Sequence, residues 1–239
     1  MASRSASSWL LRRTRAAVER GLTRAYHNVR VDAEKYLRHL RRAHGLPIDS
    51  FRDMYAMPPE VLDGIADQTI RASSKYALLE GAGLGMGGLI TAIPDVGILS
   101  GIAVRMIQKL SLIYGFEYST DEEVADLWVA AASATGVDIG KELLEKQVLE
   151  RFVPRVIRRI AVEAGADVAE KWAARAIPIL SAVAAGTMNY YFIRQWGRRA
   201  KRHFQQRHAA RRENPIFAPA ARTIELPPAA ASSPALPGN

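Results

Sequence analysis

The residue types that most often carry chemistry are sparse in this chain of 239 residues, and their spacing argues against most of it. The histidines are His27, His39, His44, His203 and His208, and none stands in an HExxH pair. His203 and His208 lie five apart, off a shared helical face, so metalloprotease chemistry has no visible site. With no cysteine there is no thiolate nucleophile, no disulfide framework and no sulfur ligand for zinc or iron. Gly97-Ile-Leu-Ser100-Gly101 misses the GxSxG elbow by one position and sits in a helical run, where that elbow needs a strand-to-helix turn; Ser100 reads as a small packing residue. Gly140-Lys141 is followed by Glu142 and lacks the earlier glycine of a P-loop. Gly83, Gly85 and Gly88 match the dinucleotide-binding spacing GxGxxG. No strand pattern precedes them, Pro94 interrupts the segment after them, and Arg105 stands about where the ribose-binding acid belongs. No catalytic, cofactor-binding or metal-ligating set is therefore expected.

What the chain holds in quantity is arginine, and arginine chemistry is the capture of anions. There are 33 Lys and Arg against 24 Asp and Glu, a net charge of +9, unevenly placed. Residues 1 to 44 carry ten Arg and one Lys against Glu19, Asp32 and Glu34, a net +8. Residues 194 to 222 carry Arg194, Arg198, Arg199, Lys201, Arg202, Arg207, Arg211, Arg212 and Arg222 against Glu213, again +8, while residues 45 to 193 are net −6. Basic flanks around an acidic body call for a polyanion, either a membrane surface or a nucleic acid, or else for flanks that fold back on the body. The candidate residues for an anionic surface are Arg12, Arg13, Arg15, Arg194, Arg198, Arg199, Lys201 and Arg202. Tyr190, Tyr191, Phe192, Trp196 and Phe204 lie where apolar sequence gives way to basic, a placement that suits a lipid interface. No helix-turn-helix, zinc or RNP signature is present, so no specific nucleic acid is expected, and an anionic membrane is preferred to a nonspecific nucleic-acid role.

Helices must carry these residues. Leu11, Val18, Leu22, Tyr26, Val29, Ala33, Leu37 and Leu40 form one apolar stripe, predicting a long basic amphipathic helix over residues 1–44 ended by Gly45 and Pro47. Such a helix can lie on an anionic bilayer or dock on its own domain. The start lacks the apolar run of a secretory signal. Pro58-Pro59 opens a helix carrying Val61, Leu62, Ile65, Ile70, Tyr76 and Leu79 into a glycine cluster, Gly81, Gly83, Gly85, Gly87 and Gly88. Each glycine costs an isolated helix about 1 kcal/mol relative to alanine, so tertiary contact must compensate. Gly81 to Gly85 and Gly83 to Gly87 have small-xxx-small spacing, and Gly97 to Gly101 repeats it beyond Pro94-Asp95, which predicts a tight helical hairpin. A buried helix then ends at Gly115, and the next starts at a capping box of Thr120 with Glu123, or Ser119 with Glu122, and closes at Gly136. Stretches 138–153 and 154–174 read as two helices, with Pro154 in the first turn of the second and Arg155, Arg158 and Arg159 as a further basic patch. Ala176 to Ile193 is uncharged for 18 residues, the lower limit of a membrane span, but Pro178, Ser181, Gly186, Thr187 and Asn189 favour a buried core helix. Residues 213–239, rich in Pro and Ala, read as a disordered tail.

The glycine cluster with Pro94-Asp95, the helix ending Leu112-Ile-Tyr-Gly-Phe116 before Thr120-Asp-Glu-Glu123, and Ile177-Pro-Ile179 with Gly186 and Asn189 before a basic helix together resemble the EcsC protein family over residues 55 to 208. Ala184 and Ala185 stand where a more glycine-rich stretch is expected. The resemblance implies a mostly helical bacterial protein of unsettled molecular function, from a family named for a gene beside an ABC transporter operon and sometimes labelled peptidase, with no catalytic residue set. The expected fold is all-α: a compact multi-helix domain at 45–212 with a central Gly-rich hairpin, preceded by the basic helix at 1–44. The expected role is a non-enzymatic accessory or interaction protein, cytoplasmic and peripheral to the inner membrane, with an anionic membrane surface and a transporter or secretion system as partners. Nonspecific nucleic-acid binding, or a hydrolase or peptidase without a recognisable motif, is the alternative.

Overall fold

The computed structural model of the chain describes residues 2–84, 89–137, 149–173 and 182–213. In order along it run α1 (Ala2–Asn28), α2 (Ala33–His44), a 3-10 turn (Phe51–Ala56), α3 (Pro59–Leu84), α4 (Leu89–Ile113), α5 (Asp121–Thr135), α6 (Leu149–Ala173) and α7 (Ala182–Arg212). No strand occurs among the described residues, and the fold is all-α, as expected.

The N-terminal stripe does not lie on one helix; it is divided at residues 29–32. Asp32 is the cause, because its carboxylate accepts from the Lys35 backbone N–H at 2.9 Å and so starts a fresh helix N-terminus. That bond also holds the Asp32 carboxyl below the usual carboxylate range. The peptide groups opened at the break are satisfied from α4 and beyond: the buried Gln108 amide donates to Val29 O at 2.8 Å and accepts from Val31 N at 3.0 Å, and Tyr118 Oη donates to Val31 O at 2.8 Å. Gly45 then ends α2 at φ 62°, as its position predicts.

Downstream, most signals act as read. Thr120 and Glu123 form the capping box of α5, and the Glu123 carboxylate also accepts from the Ser119 hydroxyl at 2.9 Å. Gly136 closes α5 at φ 92°. Gly115 closes α4 at φ 81°, with the Tyr55 ring 3.0 Å from where a Cβ would sit, so conformation and space both demand glycine. The prolines are the exception. Pro94 and Pro154 are each the sixth residue of a continuous helix, α4 and α6, so neither interrupts the chain nor opens a helix. For α6 the reason is packing: Phe152, Val153, Val156, Ile157 and Ile160 are buried on both sides of Pro154 as one stripe. Each such side chain gains about 1.5–3 kcal/mol on burial, so together they outweigh the roughly 3 kcal/mol an interior proline costs.

Helix α4 packs against α1, α3, α5 and α7; α3 pairs most extensively with α7, α1 lies along α6 and α4, and α5 bridges α6 and α7. The core includes Trp128, Tyr114, Phe204, Met106, Leu110 and Leu62, and the N-terminal segment adds Ala17, Val18, Leu22, Ala25, Tyr36 and Leu40 to it. The basic N-terminal segment is thus docked on the body. Helices approach closely at two of the described glycines: a Cβ on Gly165 would lie 2.8 Å from Arg15 Cγ and 3.0 Å from its Cα, and one on Gly197 would lie 2.9 Å from Met106 Sδ.

Candidate functional site

The cations of α7 divide between an inner set that contacts the body and an outer set that faces solvent, whereas the arginines described on α6 are all exposed. On α7 the inner set folds back onto acids of the body. Lys201, with only 13% of its side chain exposed, places Nζ 2.9 Å from Asp67 Oδ1 and donates to Asp63 O at 3.3 Å. Asp63 also accepts from Gln205 Nε2 at 2.8 Å and from Tyr114 Oη at 2.6 Å. Burial, reinforced by that carboxylate, pushes the Tyr114 hydroxyl far above its ordinary pKa. Arg207 grips Asp126 with both guanidinium ends, each contact 2.7 Å, the bidentate geometry that makes arginine pairs strong. Arg211 donates to Tyr55 Oη at 3.3 Å, and Arg199 reaches Ala134 O at 3.5 Å beside the end of α5. Arg194 donates to Tyr190 Oη one helical turn back. His208 stacks on Tyr55 with ring centroids 5.0 Å apart and donates from Nδ1 to Tyr114 O at 2.9 Å; burial lowers its pKa.

The outer set faces solvent. On α1, Arg12 and Arg13 are exposed, and Arg13 covers the ring of the 44%-exposed Trp9 at 4.9 Å. Arg15 is half-buried against Gly165 of α6. Arg20 and Arg24 are exposed on the same helix, and Arg151, Arg155, Arg158 and Arg159 are exposed on α6. The two rows are neighbours: α1 packs along α6, and Arg158 Nε lies 3.9 Å from Glu19 Oε1. Arg155, Arg158 and Arg159 also line a groove of about 640 Å³ with Val162, Glu163 and the closing residues Gly136 and Val137 of α5. Among the described residues Arg155 and Arg159 have no carboxylate within ion-pair distance. Arg198 and Arg202 are exposed on α7.

Of the residues expected to meet an anionic surface, Arg12, Arg13, Arg198 and Arg202 face solvent, Arg15, Arg194 and Arg199 are half-buried, and Lys201 faces Asp63 and Asp67. Sequence reasoning gave Arg155, Arg158 and Arg159 a lesser place and did not single out Arg20, Arg24 or Arg151. The signal was present in the four-residue spacing of Arg20 with Arg24 and of Arg151, Arg155 and Arg159, which aligns each set on one helical ridge. That the two ridges adjoin is a tertiary fact.

The glycine motif is only partly placed. Gly81 and Gly83 lie in the last turn of α3, Pro94, Asp95, Gly97 and Gly101 lie within α4, and Gly85, Gly87 and Gly88 lie outside the described residues. A Cβ on Gly101 would meet Val29 Cγ2 at 4.0 Å, an ordinary contact with the α1–α2 link. Tyr76 and Leu79, read on the same helix as the buried Leu62, Ile65 and Ile70, are 54% and 69% exposed. Among the described residues no helix is long and apolar enough to cross a membrane. The described part of the uncharged stretch, Ala182–Ile193, continues without a break into the basic part of α7 and buries Met188, Phe192 and Ile193.

Helices only, with basic flanks packed on an acidic centre, define a helical domain of the kind the glycine and capping motifs resemble. The chain belongs to the EcsC protein family, which it matches over residues 10–208. The match begins inside α1, well before residue 55, so the family region takes in both N-terminal helices. The chain is similar to Protein EcsC of Bacillus subtilis (strain 168), 25% identical over 205 residues that make up 82% of this chain and 84% of that protein. It is also similar to the uncharacterized protein YdbA of the same organism, 24% identical over 114 residues, 47% of this chain and 42% of that one. No solved structure matches the chain.

Proposed function

We propose that this protein is a non-enzymatic accessory protein that attaches peripherally to an anionic membrane on its cytoplasmic face and acts there through protein contacts, with a membrane transporter or secretion system as the class of partner. The observation that carries the reading is the joint arginine face of α1 and α6, where Arg12, Arg13, Arg20, Arg24, Arg151, Arg155, Arg158 and Arg159 are exposed. Each basic side chain near an anionic bilayer contributes about 1 kcal/mol, so several acting together suffice for attachment without an inserted span. Exposed Trp9 at the start of this face supplies the amphipathic ring that membrane interfaces favour.

Co-sedimentation of the intact protein with anionic and with neutral vesicles tests this, with a salt titration against duplex DNA beside it. Binding to anionic vesicles alone, fading as salt screens charges beyond about 8 Å, is the expected result. Equal binding to neutral vesicles, or none to anionic ones at low salt, contradicts the reading. Tighter binding to DNA than to anionic vesicles at matched salt favours the nucleic-acid alternative.

A further inference from the structure

A groove of about 720 Å³, distinct from the arginine face, opens between α2, α3 and α4, within the range of volumes that hold small ligands. Its floor is a single stripe of α4. Ile98, Ile102, Arg105 and Lys109 follow one another at steps of four, three and four and so lie on one face of the helix, spanning about 16 Å. That stripe is polar at one end only: the first half is apolar, the second cationic. Ala72 and Tyr76 of α3 face the groove, and His39 and His44 of α2 complete it. No carboxylate lines it among the described residues; Glu80, which accepts a hydrogen bond from Tyr76 at the rim, is not part of the wall.

Two observations point to an occupant. Lys109 is half-buried, yet no carboxylate lies within ion-pair distance among the described residues, and its ammonium sits 5.7 Å over the Tyr36 ring. Burial and neighbouring Arg105 lower its pKa, the state of a cation that lacks an anion. At the other end Ile98 is 41% exposed and Tyr76 54% exposed, large apolar surfaces left open at the groove. A free anion would leave the apolar half uncovered, and a neutral chain would leave Lys109 unmatched.

We propose that this groove binds one single-chain anionic amphiphile, its carboxylate or phosphate head at Arg105 and Lys109 and its alkyl chain along Ile98, Ile102 and Ala72. The assignment stands independently of membrane attachment, since it uses none of the outward arginines. Titration calorimetry on the full chain below the micellar limit tests it with four probes: laurate, lauroyl lysophosphatidate, zwitterionic dodecylphosphocholine and inorganic phosphate. Laurate and lauroyl lysophosphatidate bind one per chain, dodecylphosphocholine binds at least about tenfold more weakly, and phosphate gives no heat at the same concentration. Arg105→Gln and Lys109→Gln each weaken laurate about tenfold, while Arg52→Gln, exposed on the 3-10 turn and outside the groove, leaves it unchanged. Arg105 is exposed, so its substitution spares the fold, and circular dichroism checks both variants. Equal affinity for laurate and dodecylphosphocholine, phosphate binding as tight as laurate, laurate affinity indifferent to both substitutions, or no binding of any amphiphile overturns the proposal.

Discussion

His203 and His208 each bury an Nε2 atom that has no hydrogen-bond partner among the described residues. Burial lowers both pKa values, that of His203 to about 4 with help from nearby Arg207. The consequence for stability has a definite sign. Above the ordinary histidine pKa of about 6.5 both folded and unfolded chains hold neutral rings and nothing is lost. Below it the unfolded chain takes up protons that the folded chain refuses, so stability falls as pH drops below about 6.5, for His203 down to about pH 4, by at most about 1.4 kcal/mol per pH unit for each ring. Urea unfolding across that window is expected to show the decline, and His203→Gln is expected to flatten it; a slope unchanged by the substitution would remove His203 from the account. The sequence showed only that neither histidine belonged to a metal motif. His208 is buried by Tyr55 of the 3-10 turn and by Tyr114 at the end of α4, tertiary neighbours that spacing along one helix does not reveal.

Between elements, the packing of α1 on α6 turns on Gly165. An added Cβ would meet the Arg15 backbone, its Cα at 3.0 Å and N at 3.2 Å, which cannot yield as a side-chain tip can. Helix propensity alone favours alanine by about 1 kcal/mol, so the two effects have opposite signs. Overpacking wins: Gly165→Ala is expected to destabilise by about 1–3 kcal/mol. Gly64→Ala on α3, with open space around it, is expected to stabilise by about 0.5–1 kcal/mol. Thermal melts of both variants decide, and a raised melting temperature for Gly165→Ala would mean that α1 does not approach α6 this closely. At Gly165 and Gly197 the close packing was not legible in the sequence. Spaced glycines at 81–101 drew attention, whereas Gly165 and Gly197 stand alone and only their partners across the interface mark them. Capping residues were legible because cap and capped N–H are neighbours in sequence, as at Thr120 and Glu123. Asp32 carried such a signal too, masked by an apolar stripe that continues across the break.

For the whole molecule, the charge asymmetry of the chain resolves into two populations. Lys201 and Arg207 answer acids of the body, while Arg155, Arg158 and Arg159 face outward. Net charge along the sequence could not separate them, because the choice of face depends on which acids α7 meets. Removing residues 1–44 is therefore a poor probe of attachment: it strips Val18, Leu22 and Leu40 from the core. Substitution in place separates attachment from folding. The most direct measurement compares Arg155→Gln/Arg158→Gln/Arg159→Gln with Lys201→Gln/Arg207→Gln for both thermal stability and co-sedimentation with anionic vesicles at low salt. The outward triple variant is expected to keep the parent melting temperature and lose most vesicle binding. The inward double variant is expected to melt earlier yet, while folded, bind vesicles like the parent. An outward triple variant that still binds anionic vesicles as tightly as the parent would contradict attachment through the arginine face.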